Sequence, residues 1–308
     1  MELHEWALII FTTVMQMAVG AFVLVGGIHL FAARRYTVET ADKLSDRALI
    51  AIGPVVVLAL LATFFHLGNP LNAPRAISNF GSSWLSREIV LAVVFAIGGA
   101  VFAFMQWRKV STPAVRNAIA LVVAAVGLVL VFAMAAVYLL PTVPAWNTIV
   151  TPISFYITTF LLGALAIGAA YVVAYWRMRG DEKAEKETQF EIVAITLRWI
   201  ALVSVALLGL QFIVLPVYLA SLTANASPAA AESVRILFDQ NGVLFVLRLL
   251  FIFLGAGVFS VFVYRTAATR GSTIRVLGSM ALIAFALVLV AEVLGRYLFY
   301  ASMVRVGI

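Results

Sequence analysis

His66, Glu88 and Arg75 are the residues whose types and placement most invite chemistry. His66 closes one long apolar run, Glu88 opens the next, and Arg75 sits in the connector between them. An imidazole titrates near neutrality and is a ready proton acceptor. A carboxylate beside it can pass that proton on to water. Oxidising a hydroquinone removes two electrons and two protons. A base, a carboxylate and an arginine at an apolar interface therefore suit a lipid-soluble quinol, with Arg75 hydrogen-bonding a ring oxygen or holding Glu88. Trp84 and Arg87 complete the neighbourhood. The same residues could instead bind a lipid headgroup or a partner protein. Each also has an ordinary reading: His66 as a cation at a helix C-terminus, and Glu88 as a first-turn acid behind Ser86 as N-cap, with Arg87 to neutralise it.

A second group lies far along the chain. Glu292 and Arg296 are spaced i, i+4 in the orientation preferred for a helical ion pair. Arg248 lies about two turns into the preceding helix from the same side. Ionisable groups within apolar helices are expensive, so this cluster reads as an internal ion pair that fixes packing, or as part of a proton path. Arg198 is placed to snorkel to an interface, and Gln16 and Gln211 to hydrogen-bond between helices. Cysteine is absent, which excludes disulfides, iron–sulfur clusters and zinc-thiolate sites in this chain. The three histidines are His4, His29 and His66. His29 and His66 fall at opposite ends of neighbouring helices and cannot share one haem iron, and His4 precedes the first helix. No haem or metal is expected. The four lysines, Lys43, Lys109, Lys183 and Lys186, all lie in connectors, so no helix interior offers an amine for a retinal Schiff base.

The elements that must position these residues follow from composition. Of 308 residues, 64% are hydrophobic and 11% charged, against roughly 45–50% and ~25% for a soluble domain. Apolar runs long enough to span a bilayer are expected as helices at Trp6–Ala33, Arg47–Leu67, Arg87–Trp107, Val115–Leu140, Ile149–Trp176, Phe190–Leu219, Gly242–Tyr264 and Ile274–Ala301. They are too long and too continuously apolar for barrel strands. The fold class is therefore all-α, a polytopic integral membrane protein of eight transmembrane helices forming a single transmembrane domain over residues 1–308.

Charge sets the expected orientation. Fourteen of the 21 Lys and Arg fall in the connectors Arg34–Arg47, Arg108–Arg116, Arg177–Lys186 and Arg265–Arg275. Arg75, Arg87, Arg235, Arg296 and Arg305 lie toward the other face. Positive-inside bias then puts both termini outside, with a retained first helix rather than a cleaved signal. The net charge of +7 is explained by this topology and by membrane lipid, so no nucleic-acid partner is expected. Trp6, Trp84 and Trp146 read as interfacial indoles of the outer face, Trp107 and Trp176 of the inner. The longer outer connectors, 68–86 and 222–241, are the expected docking loops for a partner.

The stretch His66-Leu67-Gly68-Asn69-Pro70, through Ala73-Pro74-Arg75-Ala76 to Ser83-Trp84-Leu85-Ser86-Arg87-Glu88, resembles the membrane anchor subunit of bacterial dimethyl sulfoxide reductases. The closing Gly295-Arg296-Tyr297-Leu298-Phe299-Tyr300 segment is similar to that family as well. The resemblance implies a multi-pass inner-membrane subunit without haem. Its partners would be an iron–sulfur electron-transfer subunit and a molybdopterin catalytic subunit docked on the periplasmic face. It implies menaquinol as bound substrate, with His66 and Glu88 matching the family's quinol-site histidine and glutamate. Three alternatives compete: an anchor for a molybdoenzyme with another terminal acceptor, a transporter kinked at Pro54, Pro152 or Pro216, and a structural anchor without a quinol site.

Overall fold

The computed structural model describes residues 3–66, 78–177, 183–269 and 274–307, and of residues 3–5, 63–66 and 183–185 the backbone alone. Within them, ten α-helices follow one another: α1 (Leu3–Arg35), α2 (Val38–His66), α3 (Trp84–Trp107), α4 (Pro113–Ala136), α5 (Val150–Trp176), α6 (Lys183–Thr223), α7 (Pro228–Arg235), α8 (Gly242–Ile252), α9 (Ser260–Ala268) and α10 (Ile274–Ala301). Among the described residues, eight spans are long and apolar enough to cross a membrane, with α8 and α9 joined into one of them. In hydrocarbon every backbone amide must be satisfied within its own segment, which helices do. The protein is thus an all-α, multi-pass membrane protein.

Helix ends depart from the expected ones for identifiable reasons. α2 begins at Val38, well before Arg47, and α6 at Lys183 rather than Phe190. An apolar run marks where a helix meets lipid, whereas its hydrogen bonding continues through polar residues in water. Lys43, Lys183 and Lys186 consequently sit on helices rather than in loops. α4 stops at Ala136 instead of Leu140, since Pro141 and Pro144 cannot donate to a helical ladder. The joint of α8 and α9 is a π-helical turn, Phe253–Phe259. Gly255 in that turn lies so close to α10 that an added Cβ would come within 2.7 Å of Val288 Cγ2. The hydroxyl of Ser260 donates to the Gly255 carbonyl at 3.2 Å.

The connector 222–241 is not an open loop. Ser227 caps α7, with its hydroxyl accepting from the Ala230 amide at 3.2 Å, and a π-helical turn, Ile236–Gln240, follows. Ala229, Ala230, Ser233 and Leu237 are buried, and the Ser233 hydroxyl donates to the Ser302 carbonyl at 2.9 Å. The segment packs onto the end of the chain.

α1 and α5 form the centre. They meet through Gly20 and Gly163: a Cβ on Gly20 would overlap the Thr159 carbonyl oxygen, and one on Gly163 would overlap the Gly20 backbone. Small residues allow such approach where lipid supplies no hydrophobic drive between helices. At the end bearing the basic connectors, Lys109 Nζ donates to Asp42 at 2.6 Å and to Asp46 at 2.8 Å. Gln106 Nε2 donates to the same two carboxylates at 2.8 Å each, and its oxygen accepts from Arg116 Nε at 2.9 Å. Partial burial pulls the Lys109 ammonium down, but hydrogen bonds and charge from Asp42 and Asp46 outweigh it and hold the pKa above its usual value. This network ties α2, α3 and α4 together.

Replacing Gly163 with leucine should destabilise the protein by about 3 kcal/mol, the upper end of overpacking costs. A Cβ on Gly26 meets nothing within 4 Å, so Gly26→Ala should instead gain up to ~1 kcal/mol in helix propensity. Thermal unfolding of the detergent-solubilised protein separates the two.

Candidate functional site

Ser83, not Ser86, caps α3: its hydroxyl accepts from the Ser86 amide at 3.3 Å. Glu88 therefore lies beyond the first turn, and a favourable helix dipole does not account for its charge. Arg87 does not neutralise it either. The Arg87 guanidinium donates to the carbonyls of Phe80 and Gly81, at 3.0 and 2.7 Å, and stacks over the Trp84 ring with its carbon 4.2 Å from the centroid. Trp84 in turn meets Phe132 edge-on at 5.6 Å. Trp84 and Arg87 thus clamp the turn ahead of α3, while the Glu88 side chain points inward with 4% of its surface exposed. Among the described residues no cation or hydrogen-bond donor compensates its carboxyl.

Glu88 lies within electrostatic reach of Tyr138 and Tyr300. Tyr138 stands in the irregular segment between α4 and α5, where it is turned into the bundle. Its hydroxyl shares a 2.8 Å hydrogen bond with that of Tyr300, and Tyr300 donates to Thr12 at 3.4 Å. Burial pushes the Tyr138 phenol well above its usual pKa, reinforced by Tyr300 and Glu88 and opposed by Arg296. It is therefore a neutral hydrogen-bonding group at physiological pH. Trp146, expected at an interface, is 8% exposed. It stacks on Phe299 at 5.2 Å and donates to the Phe299 carbonyl at 2.7 Å. The proline-rich segment draws it inward.

Glu292 and Arg296 are both buried but form no direct ion pair. Arg296 Nη2 donates to Gln16 at 2.6 Å, and its guanidinium carbon lies 3.8 Å from the centre of the Phe155 ring. Gln16 donates onward to the Phe155 carbonyl at 3.0 Å. Glu292 accepts from Thr158 at 2.6 Å through Oε2. Partners on α1 and α5 thus capture each group before the intrahelical pair can close. Arg248 lies against Gly295, where an added Cβ would fall 2.5 Å from Arg248 Nε. Gln211, Arg248, Glu292 and Arg296 all line one cavity of about 100 Å³ between α5, α6, α8 and α10. Gln211 Oε1, Arg248 Nε and Glu292 Oε1 find no hydrogen-bond partner among the described residues, so the Gln211 oxygen accepts no interhelical bond from them.

α2 ends at His66 and packs on α3. The His66 side chain, and the whole of Arg75, lie outside the described residues. His29 lines a separate cavity of about 270 Å³ at the basic end, with Asp46, Gln106 and Asn117. Its Nδ1 is 3.7 Å from Asp42 Oδ1, and the acids there are already paired with Lys109. Among the described residues no group of three or more His, Asp or Glu could hold a metal ion. Tyr138, Thr12 and Thr158 were not singled out by sequence reasoning. The nearby Pro141 and Pro144 signalled the end of α4, and with it a tyrosine free to turn inward.

The family model for the DMSO reductase anchor subunit, DmsC, matches residues 1–302. The protein is 30% identical over 307 residues to the anaerobic dimethyl sulfoxide reductase chain YnfH of Escherichia coli K12, covering 99% of its own length and 96% of that relative. It is 32% identical over 182 residues to a chain of the anaerobic dimethyl sulfoxide reductase of the same organism, covering 57% and 62%. A shorter match, 35% identical over 114 residues and covering 34% and 33%, is to a subunit of the sulfite dehydrogenase of Allochromatium vinosum.

Arg296→Leu should cost roughly 1–3 kcal/mol, since it leaves the Gln16 oxygen buried without its donor. Tyr138→Phe should cost only ~1 kcal/mol, because Tyr300 keeps Thr12. Equal melting temperatures for both variants and the parent would remove these contacts from the account of stability.

Proposed function

The chain belongs to the dimethyl sulfoxide reductase anchor subunit family, and we propose that it is the membrane anchor and menaquinol-oxidising subunit of a molybdopterin and iron–sulfur reductase complex. The observation that carries this reading is Glu88, a carboxyl buried within a membrane-spanning helix without a compensating partner among the described residues. Such a group in a spanning helix is functional by default, and its ordinary explanations, a helix dipole and Arg87, do not apply. It stands in the second turn of α3, on the helix that packs against α2, whose last residue is His66.

In the proposed reaction menaquinol gives up two electrons and two protons to become menaquinone. His66 accepts a proton from one ring hydroxyl, and Glu88 relays it, or accepts the second, toward water. Arg75 donates a hydrogen bond to a ring oxygen. Trp84 and Arg87, stacked on one another, border the ring and fix the turn that sets the position of Glu88. Glu292, Arg296 and Arg248 hold the helices around this end and offer a polar route beside the tyrosine pair. The electrons pass to the iron–sulfur subunit, and from it to the molybdopterin subunit. Without cysteine this chain cannot ligate a cluster through thiolates to carry them across the bilayer. The excess of Lys and Arg at the opposite end supports a periplasmic location for both termini, the quinol site and the docked partners. A second reading keeps the anchor and changes the enzyme it serves; the partial match to a sulfite dehydrogenase subunit supports a different catalytic partner.

His66→Asn and Glu88→Gln should each lower quinol-dependent turnover of the assembled complex by about 100-fold or more, the usual worth of a positioned proton acceptor. Reduction driven by an artificial dye should persist. Unchanged quinol activity in both variants overturns the site. Because protons and electrons leave toward the same face, the complex reconstituted in liposomes should generate no membrane potential during turnover. A potential-sensitive dye that responds would refute that arrangement.

A further inference from the structure

A concavity roomier than the cavity beside His29 lies away from both Glu88 and His29. It is an open groove of about 630 Å³ along the membrane-facing surface, floored by α1 and α5 and flanked by α2 and by Phe285 of α10. Its lining is apolar, much of it alanine, with two exceptions, Arg47 and Arg177. Arg47 lies in the basic-end part of α2, and Arg177 caps the C-terminus of α5. Because those helices run in opposite directions, both arginines stand at the same end of the groove. Both are exposed. Among the described residues neither guanidinium has an ion-pair or hydrogen-bond partner, unlike Lys109 and Arg116 nearby.

We propose that this groove is a specific site for an anionic phospholipid of the leaflet facing the basic connectors, with the headgroup phosphate between Arg47 and Arg177 and an acyl chain along the alanine floor. Charge selects this occupant. Basic pockets between membrane helices on the positively charged side take anionic headgroups, and a guanidinium fork matches phosphate oxygens in geometry as well as charge. The neutral isoprenoid tail of a quinone gains nothing from two arginines. A second copy docked symmetrically would set the arginine pair against its own equivalent. The inference does not depend on the quinol reading, since the groove shares no residue with that site.

The test uses the full-length protein in its complex, purified in mild detergent and titrated with phosphatidylglycerol or phosphatidylcholine, with adducts counted by native mass spectrometry. One phosphatidylglycerol per chain should persist under activation that strips phosphatidylcholine. At about 1 kcal/mol per basic residue near the membrane surface, Arg47→Gln should weaken retention roughly five-fold and the double variant with Arg177→Gln roughly thirty-fold. Arg275→Gln, also at the basic end but outside the groove, should change nothing. Ala51→Trp fills the groove without altering charge and should displace the lipid. Equal retention of the two lipids, or retention unmoved by the double variant, overturns the proposal. So does a protein–protein adduct that Ala51→Trp abolishes, since the occupant would then be a second copy.

Discussion

The backbone contact between α1 and α5 at Gly20 and Gly163 is the constraint from which the polar architecture hangs. Lipid chains are as apolar as the side chains they touch, so membrane helices associate through close packing and hydrogen bonds rather than through release of water. Here the approach leaves no room for a single methyl on either glycine. One turn before Gly20, Gln16 reaches the Phe155 carbonyl of α5 and receives Arg296 from α10. One turn further, Thr12 receives Tyr300. A separation of α1 from α5 would lengthen all of these together. The polar seam at the termini end is thus positioned by the packing and adds to its stability.

The two ends of the bundle treat charge differently. At the basic end the carboxylates of Asp42 and Asp46 share Lys109 and Gln106, and Gln106 is itself held by Arg116. A network satisfied in this way locks three helices without leaving a charge stranded, which is what structural polar clusters require. At the other end Glu88 is buried without a described counter-charge, and Gln211, Arg248 and Glu292 each carry an unmet hydrogen-bonding atom toward one cavity. Uncompensated polar groups in a low dielectric are costly. Packing explains the first arrangement and does not explain the second, and the proposed chemistry is placed where the packing account stops.

Hydropathy made the eight spans legible because a bilayer demands length and apolarity of every crossing segment. It located the lipid-contacting stretch rather than the helix, which is why α2 and α6 start earlier than their apolar runs. Glu88 stood out by residue type, but its environment did not. The reading of Ser86 as cap and Arg87 as counter-ion used neighbours in sequence, whereas capping by Ser83 and stacking on Trp84 are set by the turn at 80–83. The pairing of Glu292 with Arg296 failed for a similar reason. An i, i+4 rule considers one helix, and Gln16, Phe155 and Thr158 come from two others. Trp146 and Tyr138 were hidden because an aromatic beside prolines at a helix end looks interfacial until the segment is seen to fold back over the core.

On the proposed orientation these features share one logic. A protein without thiolate ligands has no cluster of its own to bridge the bilayer, so a quinol must be oxidised close to an acceptor held by another subunit. Electron acceptor and proton exit then share an end, and no charge crosses the membrane through this protein. The eight helices consequently serve less as a conduit than as a mount. In the proposed reaction their task is to present Glu88 and His66 to the quinol ring on the partner's side. The opposite end is then free to be shaped by the membrane itself. There the Asp42 and Asp46 carboxylates are paired within the protein, and in our proposal Arg47 and Arg177 are turned to the lipid.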